Sequence, residues 1–377
     1  ETSCLTTGRK RKPEKMTTMS DAIDLAAVNE VLSTFKDPET GRNVVTTNQA
    51  QDIKLEGDSL QLKLGLTTHS APLWEETCRQ LEAVLLERLP GLSKVTVEQV
   101  DYARVPQPLG QVGLTAKSVI AVASGKGGVG KSTVAVNLAL AMKRSGCQVG
   151  LMDADVYGPS VPHLLGAEGR PEVVENRIQP IYSHGIPIMS IGFMVPQDEA
   201  VVWRGPMLHG AITQFLGDTN WGELDYLVID MPPGTGDIAL TLSQSIPLTG
   251  AIVVCTPQQL ALLDASKAIT MFNKVNIPVL GMVENMSGFI CPDCDKRYDI
   301  FGSGGAREEA KRLKIPLLGE IPIHIDIRVR GDAGQSDANF EDDLVAGYYN
   351  EIVLSLLRNQ AAEVASNPVR PQLPVLG

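Results

Sequence analysis

Two clusters of residues in this 377-residue chain have types and spacings that could do chemistry. The first is Gly125-Lys126-Gly127-Gly128-Val129-Gly130-Lys131-Ser132-Thr133, which fits the pattern G-x-x-x-x-G-K-[ST]. Glycines let such a loop curl until successive N–H groups point at phosphate oxygens, with no Cβ in the way. A helix opening directly after it adds unpaired N–H groups and the positive end of its dipole. Lys131 is expected to reach β- and γ-phosphates, and the Ser132 hydroxyl to ligate Mg²⁺. The second cluster is Cys291-Pro292-Asp293-Cys294. A lone C-x-x-C is open to three uses: a redox pair, half a zinc site or half an iron–sulfur site. The redox use fits worst, because the stretch lacks a thioredoxin-like βαβ context. Zinc and a four-iron cluster each take four ligands, and the chain has no second C-x-x-C or C-x-x-H. Two chains about a two-fold axis would supply four thiolates.

Around these clusters the chain alternates apolar runs with helical patterns, the signature of a doubly wound parallel sheet. Residues 118–123 read as a buried strand entering the glycine-rich loop, and Val134 to Arg144 as an amphipathic helix leaving it. Residues 148–152 form a second strand, followed by Asp153-Ala154-Asp155. Ligands in such sheets sit at the carboxyl ends of strands, so both aspartates are expected to face a Mg-nucleotide. Leu227-Val228-Ile229-Asp230 is an apolar strand ending in a carboxylate near Mg²⁺, the Walker B arrangement. The following Met231-Pro232-Pro233-Gly234-Thr235-Gly236-Asp237 suits a loop that senses the γ-phosphate. Residues 279–286 read as another strand, with Asn285 just past its end. Leu317–Pro322 is a last strand closing the nucleotide pocket. Trp203-Arg204-Gly205-Pro206-Met207 is a turn beginning a helix.

The expected fold is α/β: a P-loop NTPase with a mostly parallel, doubly wound sheet, preceded by a small α+β domain. Residues 1–19 are expected to be disordered, or a targeting or read-through segment, with Met16 and Met19 as candidate starts. Residues 20–104 form the small domain, 105–116 a Pro- and Gly-containing linker, 117–362 the ATPase, and 363–377 a disordered tail. A net charge of −11 argues against broad nucleic-acid or anionic-membrane binding. No run approaches the eighteen or so apolar residues of a membrane span. Six unevenly spaced cysteines are not a disulfide framework and suit a reducing cytosol, so a cytoplasmic location is expected.

The second loop residue, Lys126, makes the stretch GKGGVGKST resemble the deviant Walker A group: MinD/ParA ATPases, nitrogenase iron protein, the arsenical-pump ATPase and the Mrp/ApbC carriers. That resemblance implies ATP with Mg²⁺ and a nucleotide-sandwich homodimer in which Lys126 crosses to the partner's phosphates. It further implies that Asp155 orients the attacking water, that Asp153 acts through Mg²⁺ and its waters, that Asn285 reads the adenine edge and that the loop at Pro322 helps hold the base. With Met286-Ser287-Gly288-Phe289 before the cysteines and Ile300-Phe301-Gly302-Ser303-Gly304-Gly305 after them, residues 20–340 look like the Mrp/ApbC carriers. The implied function is an ATP hydrolase that holds a labile bridging [4Fe–4S] cluster on Cys291 and Cys294 of two chains. Its implied partners are a cluster-assembly scaffold and apo iron–sulfur proteins, with no nucleic acid and no membrane. The small domain, through Asp37-Pro38-Glu39-Thr40-Gly41 and Leu66-Thr67-Thr68, looks like the one ahead of many Mrp-type ATPases. It departs from some relatives by having Ala71 in place of a cysteine, and with Cys78 read as packed within a helix, it is expected to be a docking module. Competing expectations are a structural zinc at the dimer interface, a MinD/ParA-like positioning switch and an electron-donating ATPase. The acidic charge and the few basic residues of the last helix count against the positioning switch.

Overall fold

The computed structural model describes residues 24–110, 112–194, 205–234, 237–294 and 296–368. Residues 1–19, Trp203, Arg204, Thr235, Gly236 and the end of the tail lie outside them. In the first unit, Leu60, Leu62, Leu64 and Leu66 recur with period two and all face one core. The elements are α1 (Leu25–Leu32), β1 (Ala50–Glu56), β2 (Ser59–Leu66), α2 (Trp74–Arg88) and β3 (Lys94–Asp101). Asp24 caps α1, its carboxylate accepting from the Ala27 N–H at 2.8 Å. β1 pairs antiparallel and β3 parallel to β2, and the leucines of β2 pack against Val28 and Leu32 of α1 and Leu81 and Leu85 of α2.

The second unit runs β4 (Pro108–Leu109), β5 (Leu114–Ala123), α3 (Lys131–Arg144), β6 (Val149–Asp153), α4 (Val161–Leu164), β7 (Val173–Val174), β8 (Arg177–Ile178), β9 (Ile181–Ser183), β10 (Ile186–Ser190), α5 (Gly205–Gly217) and β11 (Leu224–Asp230). It continues through α6 (Asp237–Ser245), β12 (Gly250–Cys255), α7 (Gln259–Lys274), β13 (Val279–Ile290), β14 (Arg297–Tyr298), α8 (Gly305–Leu313), β15 (Leu317–Ile323), α9 (Ile325–Asp332) and α10 (Asp343–Ser366). Strands β15-β13-β12-β5-β11-β6-β10 are parallel in that order, with β9, β14 and β4 added antiparallel. Both faces of this sheet are covered. Ile120 and Val122 of β5 point into a core shared with α3 and α10, while Val119, Ala121 and Ala123 point into one shared with α5 to α8. That is why its strands read as continuous apolar runs rather than alternating ones. Among the described residues no helix is long and apolar enough to cross a membrane.

The structure departs from the sequence-based expectations in several places. Helix α3 is not amphipathic: every residue from Val134 to Met142 is buried, because α10 lies over the face expected to meet water. Even Asn137 is enclosed, accepting from the Asn339 amide at 2.9 Å. Strand β5 begins at Leu114, inside the stretch read as linker, because β4 folds back and pairs with it. Helix α10 continues to Ser366, so residues 363–366 are helical rather than tail. β13 runs to Ile290 rather than stopping at Met286, which puts Asn285 within the strand.

The two units meet through residues whose pairing no local pattern announces. A 3₁₀ turn, Thr68–Leu73, buries Ala71 and Leu73 in the core beneath α3. Tyr226 donates to the His69 carbonyl at 2.7 Å and stacks on its imidazole at 4.4 Å, and His69 Nε2 lies 2.9 Å from Ser118 Oγ. Lys117 of β5, which pairs with Asp225 at 2.8 Å, also lies 4.0 Å from Glu39 of the small unit, and Glu39 is held in turn by Arg104 at 3.0 Å. Tyr226 and Asp225 open β11, so the small unit docks at the amino ends of the strands. Cys78 is packed on the inner face of α2, its thiol pushed up to about 11 by burial.

Candidate functional site

The glycine-rich loop joins the carboxyl end of β5 to the amino end of α3. Gly125 admits the α7 backbone, since a methyl there would fall 2.2 Å from the Asp264 carbonyl oxygen. Gly130 has φ +81°, which glycine adopts without strain, and caps α3. Val129 turns its side chain into the core, anchoring the loop. The loop borders a cleft of about 320 Å³ whose lining includes Lys126, Gly128, Lys131, Ser132, Thr133 and Asp155. Gly127 and Gly130 line it too, so backbone amides, two lysines and a hydroxyl converge on one anion-sized space.

The acidic side comes from neighbouring strands. Asp230 ends β11 and Asp153 ends β6, in register with each other. Lys131 Nζ donates to Asp230 Oδ1 at 2.6 Å and to Ser132 Oγ at 3.1 Å, and lies 3.7 Å from Asp155 Oδ2. Burial raises the pKa of Asp230, while Lys131 opposes the shift. Its Oδ2 is buried and has no hydrogen-bond partner among the described residues. An orphaned carboxylate oxygen beside the Ser132 hydroxyl is the donor set a hydrated Mg²⁺ takes, so the residues fit that ion. Burial likewise raises Asp155, again opposed by Lys131.

Asp153 has three partners on its own chain. Its carboxylate accepts from the Asp155 N–H at 3.1 Å, the Val161 N–H at 3.2 Å and the Ser190 hydroxyl at 3.1 Å. It is pushed up to about 7 by burial, then by the charge of Asp230, with these three donors opposing. Asp153 thus shapes the loop that presents Asp155. Asn285 and Pro322 do not line the cleft. Asn285 supports the loop from beneath, its amide donating to the Val129 carbonyl at 2.9 Å, and Pro322 sits within β15 beside β13. Of the loop after Asp230, Gly234 N–H is tied to the Ser124 carbonyl at 2.9 Å.

The cysteine pair lies at the turn of a β-hairpin. Phe289 pairs with Tyr298 and Ile290 with Arg297, and the Cys291 N–H donates to the Lys296 carbonyl at 3.0 Å. Cys291 is half-buried and Cys294 exposed, and Tyr298, Ile300 and Phe301, a few residues further along the chain, are exposed as well. At the base of the hairpin is Glu284, a fully buried carboxylate that residue-type reasoning passed over. Its signal was present: one acid inside an otherwise apolar strand. Ser190 left no such trace, because only the folding of β10 beside β6 brings it to Asp153.

A parallel sheet with a phosphate loop after its central strand, a second loop lysine and a carboxylate on the adjacent strand defines a P-loop NTPase of the deviant Walker A kind. The model of the NUBPL iron-transfer P-loop NTPase family matches residues 115–357, and that of iron–sulfur cluster assembly proteins matches residues 25–99. The chain belongs to the NUBPL iron-transfer P-loop NTPase family. It is 45% identical to the iron–sulfur cluster carrier protein of Deinococcus radiodurans over 353 residues, 93% of this chain and 99% of that one. With the mouse (Mus musculus) iron–sulfur cluster transfer protein NUBPL it shares 53% identity over 222 residues, 58% of this chain and 70% of that one. A nucleotide-binding protein from Archaeoglobus fulgidus, solved in complex with ADP, superposes with a TM-score of 0.54 at 45% identity, covering 59% of this chain and 88% of that one.

Proposed function

We propose that this chain is an ATP-binding and ATP-hydrolysing carrier whose cargo is a [4Fe–4S] cluster, held between two copies and passed to apo-proteins. Lys131 and the loop amides bind the β- and γ-phosphates, and Asp155 orients the water that attacks the γ-phosphorus as the bond to the leaving oxygen breaks. Ser132 and, through water, Asp230 would hold Mg²⁺, which neutralises charge developing on the phosphate oxygens. Lys126 reaches across to the nucleotide of the second copy, and Asn285, beside the loop, reads the adenine edge. A cluster-assembly scaffold would load the cargo, and the small domain serves as a docking module.

The observation that carries this reading is the hairpin. It brings two thiols, one half-buried and one exposed, to a single turn where a cluster needs four ligands, at the end of the strand that also braces the nucleotide loop. Tyr157, exposed beside Asp155 and Pro233 of the cleft, offers an apolar surface for a second copy. The test is anaerobic reconstitution with iron and sulfide. The expected product is a brown dimer with about two irons and two sulfides per chain, lost in Cys291→Ala while ATP binding persists. A colourless dimer carrying zinc would instead support the structural-metal reading, and a monomer in the presence of ATP and metal would overturn both.

A further inference from the structure

Strand β13 touches the nucleotide loop and the cysteine hairpin with nearly consecutive residues. On the loop side, the Asn285 amide holds the Val129 carbonyl, and a methyl on Gly130 would lie only 2.2 Å from Asn285 Nδ2. The loop peptide therefore cannot shift toward β13 without displacing that side chain. One residue earlier, Glu284 is 0% exposed and accepts three hydrogen bonds: from Ser287 Oγ at 2.7 Å, the Gly304 N–H at 3.0 Å and the Ala306 N–H at 2.6 Å. Ser287 passes the chain of contacts on. Its carbonyl accepts from Arg297 Nη2 at 3.2 Å, and Arg297 Nε donates to Asp299 Oδ1 at 3.0 Å. Arg297 is the cross-strand partner of Ile290, the residue before Cys291.

The backbone between these anchors is not a regular strand. Met286 has φ +58° and Gly288 +76°, and the register with β15 shifts between Asn285 and Phe289. Such a bulge can re-aim the segment beyond it, whereas an uninterrupted ladder would hold it fixed. A buried carboxylate that satisfies three donors is costly to leave half-bonded, so its partners move with it.

We infer that Glu284, Ser287 and Arg297 are positioning residues that couple the nucleotide loop to the hairpin, so that the nucleotide bound at Lys131 sets how Cys291 and Cys294 are presented. This deepens the carrier reading and rests on it for its purpose, but thiol presentation can be measured without iron. The experiment uses the full, reduced, metal-free chain and follows alkylation of Cys291 and Cys294 by a maleimide, with Mg-ADP and with a non-hydrolysable Mg-ATP analogue. Couplings of this kind amount to about fivefold or more, and that ratio between the two nucleotides is expected for the unaltered chain. Arg297→Ala and Ser287→Ala should bring the ratio below about twofold with nucleotide affinity unchanged, and Arg297→Lys, which keeps a donor, should retain an intermediate ratio. Should Arg297→Ala fail to fold, Ser287→Ala decides. The inference is overturned if the unaltered chain shows no ratio, or if both alanine variants keep it, even with both rates raised together as a purely structural role would do. A preserved ratio in a chain that takes up no iron would sink the carrier reading and leave the coupling standing.

Discussion

Replacing Lys131 by methionine should destabilise the folded protein as well as its nucleotide site. Lys131 Nζ and Asp230 Oδ1 are 2.6 Å apart, their side chains 6% and 0% exposed. Asp230 Oδ2 has no partner among the described residues, so Lys131 is the main compensation for that buried charge. Removing one member of such a pair costs about 3–5 kcal/mol, since the remaining charge stays desolvated. The loss should depend on pH with a definite sign. Burial already raises Asp230 above an ordinary carboxylate and Lys131 opposes the shift, so the variant's Asp230 should rise further. A carboxylate whose folded pKa lies above its unfolded one binds a proton that the unfolded chain lacks. Stability is then greatest in acid and falls as pH rises through the folded pKa. Relative to the unaltered chain, Lys131→Met should lose least near pH 5 and most near pH 8, and adding Asp230→Asn should return most of the loss. The assay is urea unfolding without nucleotide, followed by fluorescence that includes Trp221, which is buried in the core of the second unit. Stability within about 0.5 kcal/mol of the unaltered chain at both pH values, or a double variant no better than the single, would refute this account.

Other outcomes follow from single contacts. Gly130→Ala should abolish ADP binding measured by calorimetry, because its methyl meets Asn285 at 2.2 Å on a backbone at φ +81°. Gly128→Ala, with φ +80° but nothing within 4 Å, should weaken it less. Tyr226→Phe should cost about 1 kcal/mol through the lost bond to the His69 carbonyl. It should leave ADP affinity unchanged, since that contact lies at the far end of the sheet; a shifted affinity would contradict this placement. Native-state alkylation near pH 8, read by peptide mass spectrometry, should label Cys291 and Cys294 ahead of Cys78 and Cys255. Burial raises those two thiols to about 11 and about 12.

Much of the site could be read from the chain because its parts are local. The strand, the glycine-rich loop and the helix start occupy consecutive residues, and the two cysteines lie three positions apart, so their chemistry follows from spacing alone. The apolar runs likewise announced a sheet covered on both faces. What the chain did not announce was set by distant partners. Asp153 accepts from Ser190, 37 positions on, as well as from loop amides. Asn285 meets Val129 across 156 residues. Helix α3 looked half-exposed because its covering helix is the last in the chain, and β14 was too short, at two residues, to leave a pattern.

By itself, then, the sequence determined which groups are available: the phosphate loop, its two lysines, the strand-end carboxylates and the paired thiols. The tertiary structure decided which of them face one another, turning Asp153 onto its own loop, seating Asn285 under the phosphate loop and tying the small unit to β11 through His69. Each of these is a contact between distant segments whose energy depends on burial and orientation, and neither quantity exists until the chain has closed around it.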